Sequence, residues 1–227
     1  MLLELFRSQD KLSVLIHIFS AVFVVFCTLP IHEYAHALVA TKLGDETPRL
    51  QGRLTLNPIA HIDWIGALMI ILVGFGYAKP VQVNPRNFKN PKRDMMLTAA
   101  AGPLSNLLMA IIFLLLRNIA VTAYGHGNMA TVLYVCIWFF YFAAQINVGL
   151  AVFNLLPIPP LDGSRVISVI LPSKYYFKIM RYERYIIIGV FALLFFGILD
   201  IPLSWLTQLI MKALLFITEL PFNLIIK

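Results

Sequence analysis

Two histidines and a glutamate stand together at the end of the first long apolar run, in the stretch His32-Glu33-Tyr34-Ala35-His36. Side chains four residues apart on a helix lie on the same face, so the two imidazoles can bind one zinc ion. The intervening Glu33 then lies beside the metal, where it can take a proton from bound water and pass it to a leaving amine. We predict a catalytic zinc centre at this motif.

The position of the motif indicates a functional site. The alternative is that these are ordinary helix residues near a membrane surface. The residues from Leu12 to Ile31 include no Asp, Glu, Lys or Arg, and the motif follows them directly. Ionisable side chains at membrane depth are costly unless they have partners. We therefore interpret His32, Glu33 and His36 as parts of a site.

The composition is that of a helical protein that crosses a membrane several times. Of the 227 residues 60% are hydrophobic and 13% are charged, whereas soluble domains average ~45–50% and ~25%. No ten-residue alternation typical of a membrane barrel is found. The net charge of +7 comes from Lys and Arg in loops between apolar runs, a pattern typical of cytoplasmic loops rather than of nucleic-acid binding.

We predict an all-α polytopic membrane protein with about five transmembrane helices, because apolar runs alternate along the chain with loops that carry the basic residues. The predicted spans are Leu12–Leu43, Met95–Leu116, Thr131–Leu155, Tyr185–Leu199 and Leu203–Ile217. One domain over 1–227 is expected, since no long polar linker interrupts the chain. Its catalytic core would cover about 12–172, and its C-terminal helices about 183–225.

A further apolar run, Trp64–Ala78, is short for a full span, which needs ~20 residues, and its three glycines weaken it further as a regular helix. The loop Lys79–Arg93 that follows it carries five Lys or Arg residues and is a strong cytoplasmic signal. We therefore predict that Trp64–Ala78 is a re-entrant segment. The stretch Arg49–Leu56 alternates well enough to predict a short strand.

A catalytic zinc has three protein ligands, and the candidates for the third are His61, Asp63, Asp162 and, more remotely, His126. Asp162 follows a span that starts outside and so ends at the cytoplasmic level, provided that Trp64–Ala78 does not cross. His126 lies in a loop without Lys or Arg, which indicates the outer side. This parity favours Asp162, while His61 and Asp63 are more readily partners of the ligands or interface residues.

The sequence resembles the site-2 protease family of intramembrane zinc metalloproteases, in its compact form without an inserted PDZ domain. The resemblance is carried by His32 to His36, by Ala101-Gly102-Pro103 with Asn106, and by Asn154 through Leu161-Asp162-Gly163. It implies zinc held by His32, His36 and Asp162, with Glu33 as general acid and base. It also implies a three-helix catalytic core in the cell membrane, with its active site toward the cytoplasm.

The resemblance further implies that the substrate is the transmembrane helix of another protein, as in regulated intramembrane proteolysis. We predict that Asn106 and Asn154 hold the substrate backbone or the oxyanion; a helix–helix hydrogen bond is the structural alternative for each. The extended stretches Arg49–Leu56 and Lys79–Val83 are candidate edges for an unwound substrate. A non-proteolytic zinc scaffold or a transporter is the alternative function, and Glu33, which a scaffold would not need, speaks against it.

Overall fold

The computed structural model describes residues 10–73, 79–124, 130–172, 178 and 181–225. Within these ranges every regular element is helical, which confirms the all-α prediction. The α-helices are α1 (Lys11–Phe23), α2 (Leu29–Lys42), α3 (Thr47–Leu50), α4 (Pro58–His61), α5 (Trp64–Val73), α6 (Pro91–Tyr124), α7 (Ala130–Asn154), α8 (Asp162–Ile167), α9 (Glu183–Phe195) and α10 (Asp200–Ile225).

Four helical segments are long and apolar enough to cross a membrane, so the chain is a multi-pass integral membrane protein. They are Lys11–Lys42, Pro91–Tyr124, Ala130–Asn154 and Asp200–Phe222. The fifth predicted span, Tyr185–Leu199, overlaps α9, which has 13 residues. A helix of that length extends about 20 Å and falls short of the ~30 Å hydrocarbon core. In the part of the chain that the structure describes, four full-length spans therefore replace the five expected.

The first span is one long helix with a π-helical turn between Val24 and Thr28. In this turn the N–H of Leu29 donates to the carbonyl of Val24, five residues earlier. Pro30 opens the next helical stretch, and its ring lacks an N–H and crowds the preceding turn. The proline accounts for the wider turn, and π-turns of this kind often lie at functional sites. Here the turn directly precedes His32.

The spans pack around a core of small and branched side chains. Val24 from the π-turn, Ala110 and Leu114 from α6, and Ala143 and Val148 from α7 are all completely buried. Small residues let helix backbones approach closely, and in a bilayer such packing drives helix association. This arrangement agrees with the predicted three-helix core, since the first span, α6 and α7 all contribute to it.

The described residues on either side of the segment Trp64–Ala78 lie next to each other. Its helix α5 has 10 residues, or about 15 Å, half of the ~30 Å hydrocarbon core. The N–H of Lys79 donates to the carbonyl of His61 at 2.9 Å. Arg53 donates to the carbonyl oxygens of Ala60 and Lys79, which clamps the two ends together. This geometry agrees with a re-entrant segment, of which residues 74–78 lie outside the described ranges.

The short strand predicted for Arg49–Leu56 is wrong. Pro48 lies in the first turn of α3, and the chain then reverses at Gly52, whose φ is +69°. A proline in the first helical turn costs nothing, because its missing N–H would have no partner there. Helix initiation at Pro48 and the turn at Gly52 outweigh a weak alternation of apolar and polar residues.

A polar cluster ties α10 to α6 near the end of the bundle that is remote from His32. Nη1 of Arg117 donates to Oε1 of Glu219 at 3.1 Å and to Oδ1 of Asn118 at 2.8 Å. Nδ2 of Asn118 donates to the carbonyl of Thr218 at 3.0 Å. Interhelical hydrogen bonds in membranes contribute ~0.6–2 kcal/mol each, so the cluster gives α10 a fixed place on the core.

The clamp between His61 and Lys79 predicts that residues 59 and 79 lie on the same side of the membrane. Single cysteines at Ile59 or Lys79, with Cys27 and Cys136 changed to serine, should react with a membrane-impermeant maleimide from one and the same side. A cysteine at Tyr124, at the far end of α6, should react only from the other side. Labelling of positions 59 and 79 from opposite sides would show that the segment crosses the membrane.

Candidate metal centre

His32 and His36 lie one turn apart on α2 and are buried, with 4% and 7% of their surface exposed. Their Nε2 atoms are 3.1 Å apart. The two rings are nearly perpendicular, at 87°. The helix thus brings two imidazole nitrogens to one point on the side of α2 that contacts α6.

The structure brings Asp162 to the same point from a stretch more than a hundred residues later. Its Oδ2 lies 3.4 Å from Nε2 of His32 and 3.2 Å from Nε2 of His36. Asp162 opens α8, after an irregular passage in which Pro157 and the Pro159-Pro160 pair prevent α7 from continuing. Of the three candidate third ligands that lie in the described residues, Asp162 is the one that joins the two histidines.

The spacing of the three donor atoms fits a tetrahedral metal ion. Zinc bonds of ~2.0–2.1 Å at the tetrahedral angle place neighbouring donor atoms about 3.3 Å apart. The observed separations are 3.1, 3.2 and 3.4 Å. Two imidazoles and one carboxylate form a donor set that zinc accepts, with a fourth position left for water or substrate. The residues therefore fit a catalytic zinc ion.

The proton on His36 is placed by a backbone carbonyl. Nδ1 of His36 lies 2.7 Å from the carbonyl oxygen of Thr98 on α6. A carbonyl only accepts, so Nδ1 carries the hydrogen, and in the neutral imidazole that a metal requires Nε2 then directs its lone pair toward Asp162 and His32. Such a bond to the second ring nitrogen orients a metal-binding histidine and raises its basicity. For His32, Nδ1 is buried without a partner among the described residues.

Two glycines let the three ligand segments approach one another. A Cβ added to Gly102 of α6 would lie 2.3 Å from Nε2 of His36 and 2.6 Å from Cε1 of His32. A Cβ on Gly163, next to Asp162, would lie 2.2 Å from the carbonyl oxygen of Leu155. Real Cβ atoms do not come this close to other heavy atoms, so both positions require glycine.

Glu33 is buried beside the histidines, with 7% of its surface exposed. Its Oε2 accepts a hydrogen bond of 3.0 Å from the backbone N–H of Val81. No described residue donates to its other carboxylate oxygen. Glu33 is thus held in place by the loop after the re-entrant segment, with one oxygen left for chemistry.

His32, Glu33, His36 and Asp162 line one cavity of about 480 Å³. Its other walls are mostly apolar and come from α7, from the 79–83 segment and from α9. A buried, largely apolar cavity with a few convergent polar groups is the usual form of a small active site. The four groups therefore share one space in which a peptide bond and a water molecule could meet.

Helix α9 belongs to this cavity, although no motif in the sequence marks it for that role. Ile187, Val190, Phe191 and Leu194 of α9 form part of the wall, and Glu183 contributes a polar group. Their spacing of three to four residues places them on one face of a helix. That periodicity is a weak signal in a helix that is apolar on most sides, so it could not single out these residues.

The two predicted asparagines differ in their surroundings. Asn154 lines the cavity and donates through Nδ2 to the carbonyl of Leu150 at 3.0 Å. Asn106 is 1% exposed, and neither Oδ1 nor Nδ2 has a hydrogen-bond partner in the described part of the chain. Asn106 lies one turn after Gly102 but is not among the residues that form the cavity wall.

The other third-ligand candidates have structural contacts instead. Nε2 of His61 lies 2.7 Å from the carbonyl oxygen of Thr55, and the ring is completely buried. Oδ1 of Asp63 accepts the N–H groups of Ile65 and Gly66 and so caps α5. His126 lies outside the described residues.

The chain is similar in sequence to a family of known peptidases. The sequence profile described as Peptidase family M50 matches residues 118–197. YwhC of Bacillus subtilis, provisionally named a zinc metalloprotease, is 43% identical over 185 residues, which cover 81% of this chain and 83% of YwhC. No solved structure matches the chain.

Two more distant relatives also have provisional names as zinc metalloproteases. MJ0611 of Methanocaldococcus jannaschii is 30% identical over 162 residues, which cover 71% of this chain and 75% of MJ0611. Rip2 of Mycolicibacterium smegmatis is 30% identical over 141 residues, which cover 60% of this chain and 51% of Rip2.

The close approach at Gly102 predicts that Gly102→Ala loses the metal. The added methyl group must displace one or both imidazoles, so zinc measured by mass spectrometry in the purified protein should fall at least ~10-fold, as for the loss of a supporting contact. Gly149→Ala on α7 is the matched control, because a Cβ there meets nothing within 4 Å. Full zinc content in Gly102→Ala would show that the helices do not approach as described.

Proposed function

The chain belongs to peptidase family M50 and is a zinc metallopeptidase. We propose that it hydrolyses peptide bonds within or near transmembrane segments of other membrane proteins. The observation that carries the proposal is the burial of His32, Glu33 and His36 on a helix long and apolar enough to cross a membrane. A peptidase that acts only on soluble chains has no use for a site at that depth, where ionisable groups are costly.

In the proposed site His32, His36 and Asp162 hold the zinc ion. Zinc bound there supplies Lewis-acid activation of water and of the scissile carbonyl group. The chain's own contribution is to fix the three donor atoms: α2 sets the histidines, the Thr98 carbonyl orients one ring, and Gly163 allows Asp162 to reach both. Membership of a peptidase family argues against the alternatives of a non-proteolytic scaffold or a transporter.

Glu33 moves the protons. It takes a proton from the attacking water and returns it to the leaving amine, which needs a carboxylate beside the metal ligands and inside the same cavity. The N–H of Val81 holds Oε2 at 3.0 Å, so the free Oε1 is the atom to which we assign proton transfer. Asn154, which lines the cavity, is the better placed of the two asparagines to contact the substrate or the oxyanion.

We place the active site toward the cytoplasm. The five Lys and Arg residues of Lys79–Arg93 mark the cytoplasmic side, and this loop carries Val81, which contacts Glu33. Asp162 lies at the same level because it contacts the same two imidazoles. The catalytic groups are therefore expected near the cytoplasmic face of a cell membrane, in the core of about 12–172.

A substrate helix must unwind before it is cut, because its peptide bonds are internally hydrogen-bonded. The segment Lys79–Val83, which forms neither helix nor turn, is the edge to which an unwound substrate can add as a strand. In it the N–H groups of Gln82 and Val83 have no partner among the described residues. The second candidate edge, Arg49–Leu56, does not serve this purpose because it is not extended.

A substrate that approaches from the lipid meets α9 first. One face of α9 lines the cavity through Ile187 and Val190, while Tyr185 and Ile188 on other faces are 74% and 67% exposed. Because α9 is shorter than a full span, its displacement would expose less apolar surface than that of any of the four spans. We therefore assign substrate access to the α9 side.

Glu33→Gln should keep the zinc and abolish cleavage. Loss of a general acid–base group costs ~10²–10⁴-fold in rate, and glutamine preserves shape while it cannot take a proton. Cleavage of a transmembrane substrate in proteoliposomes and zinc content are measured on the same preparations. Activity that survives in Glu33→Gln would remove Glu33 from its proposed role, and wild-type protein that cuts no membrane substrate would refute the proposal as a whole.

The substrate edge predicts an effect of proline that alanine does not share. Gln82→Pro or Val83→Pro removes one N–H donor from the edge, so the KM for a membrane substrate should rise about 2- to 10-fold, the equivalent of one hydrogen bond of ~0.5–1.5 kcal/mol. Gln82→Ala and Val83→Ala keep the donor and should change KM little. Equal KM values for the proline and alanine variants would show that the substrate does not bind there as a strand.

A further inference from the structure

The extended segment that carries Val81 is attached to the rest of the chain by three backbone N–H groups. That of Lys79 donates to the carbonyl of His61 at 2.9 Å, and that of Val81 donates to Glu33 at 3.0 Å. That of Asn84 donates to Oδ2 of Asp45 at 2.7 Å. Two of the three acceptors, Glu33 and Asp45, are carboxylates of α2 or of the turn that follows it.

Asp45 is a completely buried carboxylate with a full set of donors. Its Oδ1 accepts the N–H of Thr47 at 3.1 Å, the Thr47 hydroxyl at 2.5 Å and Nδ2 of Asn87 at 2.7 Å. Among the described residues, its Oδ2 accepts only the N–H of Asn84. Burial raises the pKa of Asp45, but the hydrogen bonds outweigh burial and hold the pKa below its ordinary value. Asp45 is therefore charged at neutral pH.

The two oxygens of Asp45 serve different parts of the structure. Oδ1 binds Thr47, in the first turn of α3, and the side chain of Asn87. Oδ2 binds the N–H of Asn84 and so fixes the end of the segment that carries Val81. Val81 lies three residues before this anchor, and its side chain is 5% exposed. A segment pinned at Asn84 and at Lys79 has little freedom to move its Val81 N–H away from Glu33.

We propose that Asp45 is a positioning residue of the peptidase, which holds Asn84 so that the Val81 N–H stays on Oε2 of Glu33. The inference rests on the proposed role of Glu33 in proton transfer. Asp45 does not touch the cavity and acts only through the segment. Without the anchor the segment can drift, and Glu33 loses the contact that selects Oε1 as its reactive oxygen. Misplacement of a catalytic group by about 1 Å can cost ~10²-fold in rate.

Asp45→Asn tests the anchor with little change in volume. Three donors converge on Oδ1, so the amide keeps its oxygen there and turns its NH₂ group to the place of Oδ2, where it faces the N–H of Asn84. The new NH₂ group and the N–H of Asn84 are both donors, so the hydrogen bond between residue 45 and Asn84 is lost while the bonds to Oδ1 remain. We expect kcat to fall ~10- to 100-fold, as for other supporting contacts of a site, while KM changes less than about 3-fold and zinc content stays at the wild-type level.

Asp94→Asn is the matched control. Asp94 is likewise a buried aspartate, 5% exposed, and accepts a backbone N–H, that of Asn90 at 3.0 Å. It has no bond to the 79–84 segment or to Glu33 among the described residues. A kcat that falls equally in both variants, or a loss of zinc in Asp45→Asn, would show a general structural role and overturn the inference.

Hydrogen–deuterium exchange of the peptides that cover residues 80–84 gives a readout that needs no turnover. In detergent-solubilised full-length protein this region should exchange at least ~10-fold faster in Asp45→Asn than in wild type or Asp94→Asn, since one buried hydrogen bond is lost. Unchanged exchange together with unchanged kcat would refute the role of Asp45. If wild-type protein cuts no membrane substrate, the proposed function fails, and the exchange result alone decides whether Asp45 holds the segment.

Discussion

The mutual contact of two imidazoles and one carboxylate at a depth where water is scarce is the constraint on which the remaining structure depends. Each of these groups is costly to bury alone, because a polar group without a partner loses its hydration. His32, His36 and Asp162 offset this cost by lying within 3.4 Å of one another. A divalent cation at their centre would complete the compensation, so the folding of these segments and the binding of metal are coupled.

The contact among these three side chains requires glycine and proline at particular positions near the site. The triad forms only if α6 approaches the two histidines, and the start of α8 approaches the end of α7, more closely than a Cβ would allow. Gly102 and Gly163 are the residues at these two contacts. Pro157 and the prolines at 159 and 160 end α7 so that the chain can turn back and present Asp162. The irregular backbone that results is tolerated because it lines a cavity rather than lipid. The same few glycines and prolines therefore determine how closely the segments pack, where the chain turns and whether Asp162 reaches the two histidines.

The sequence predicts the parts of the site that depend on local spacing or on counting spans. The four-residue spacing of the histidines predicts their common face, and the parity of the spans places Asp162, unlike His126, at the level of the histidines. Both arguments use the period of a helix and the thickness of a bilayer, which are the same for every helical membrane protein. The fold class follows from the same two quantities.

Contacts made by the backbone could not be predicted in this way. The N–H of Val81 that holds Glu33, the carbonyl of Thr98 that orients His36, and the N–H of Asn84 that binds Asp45 belong to peptide groups, which nearly every position offers. Nothing in the side chains of Val81 or Thr98 marks them for these roles. The wrong strand at Arg49–Leu56 has a related cause, because a weak alternation of side chains does not reveal that the backbone starts a helix at Pro48.

These backbone contacts also explain how a cavity can be both well ordered and open to a large substrate. The histidines, Glu33 and the 79–84 segment are held by hydrogen bonds among α2, α6 and the loops. Another part of the cavity wall is formed by α9, which contributes mainly apolar side chains and is too short to span the membrane. Apolar contacts are not directional, so that wall can shift without disturbing the hydrogen bonds that hold the catalytic groups. In the proposed function, this division would let the site admit a peptide while the geometry of the groups that we assign to catalysis is preserved.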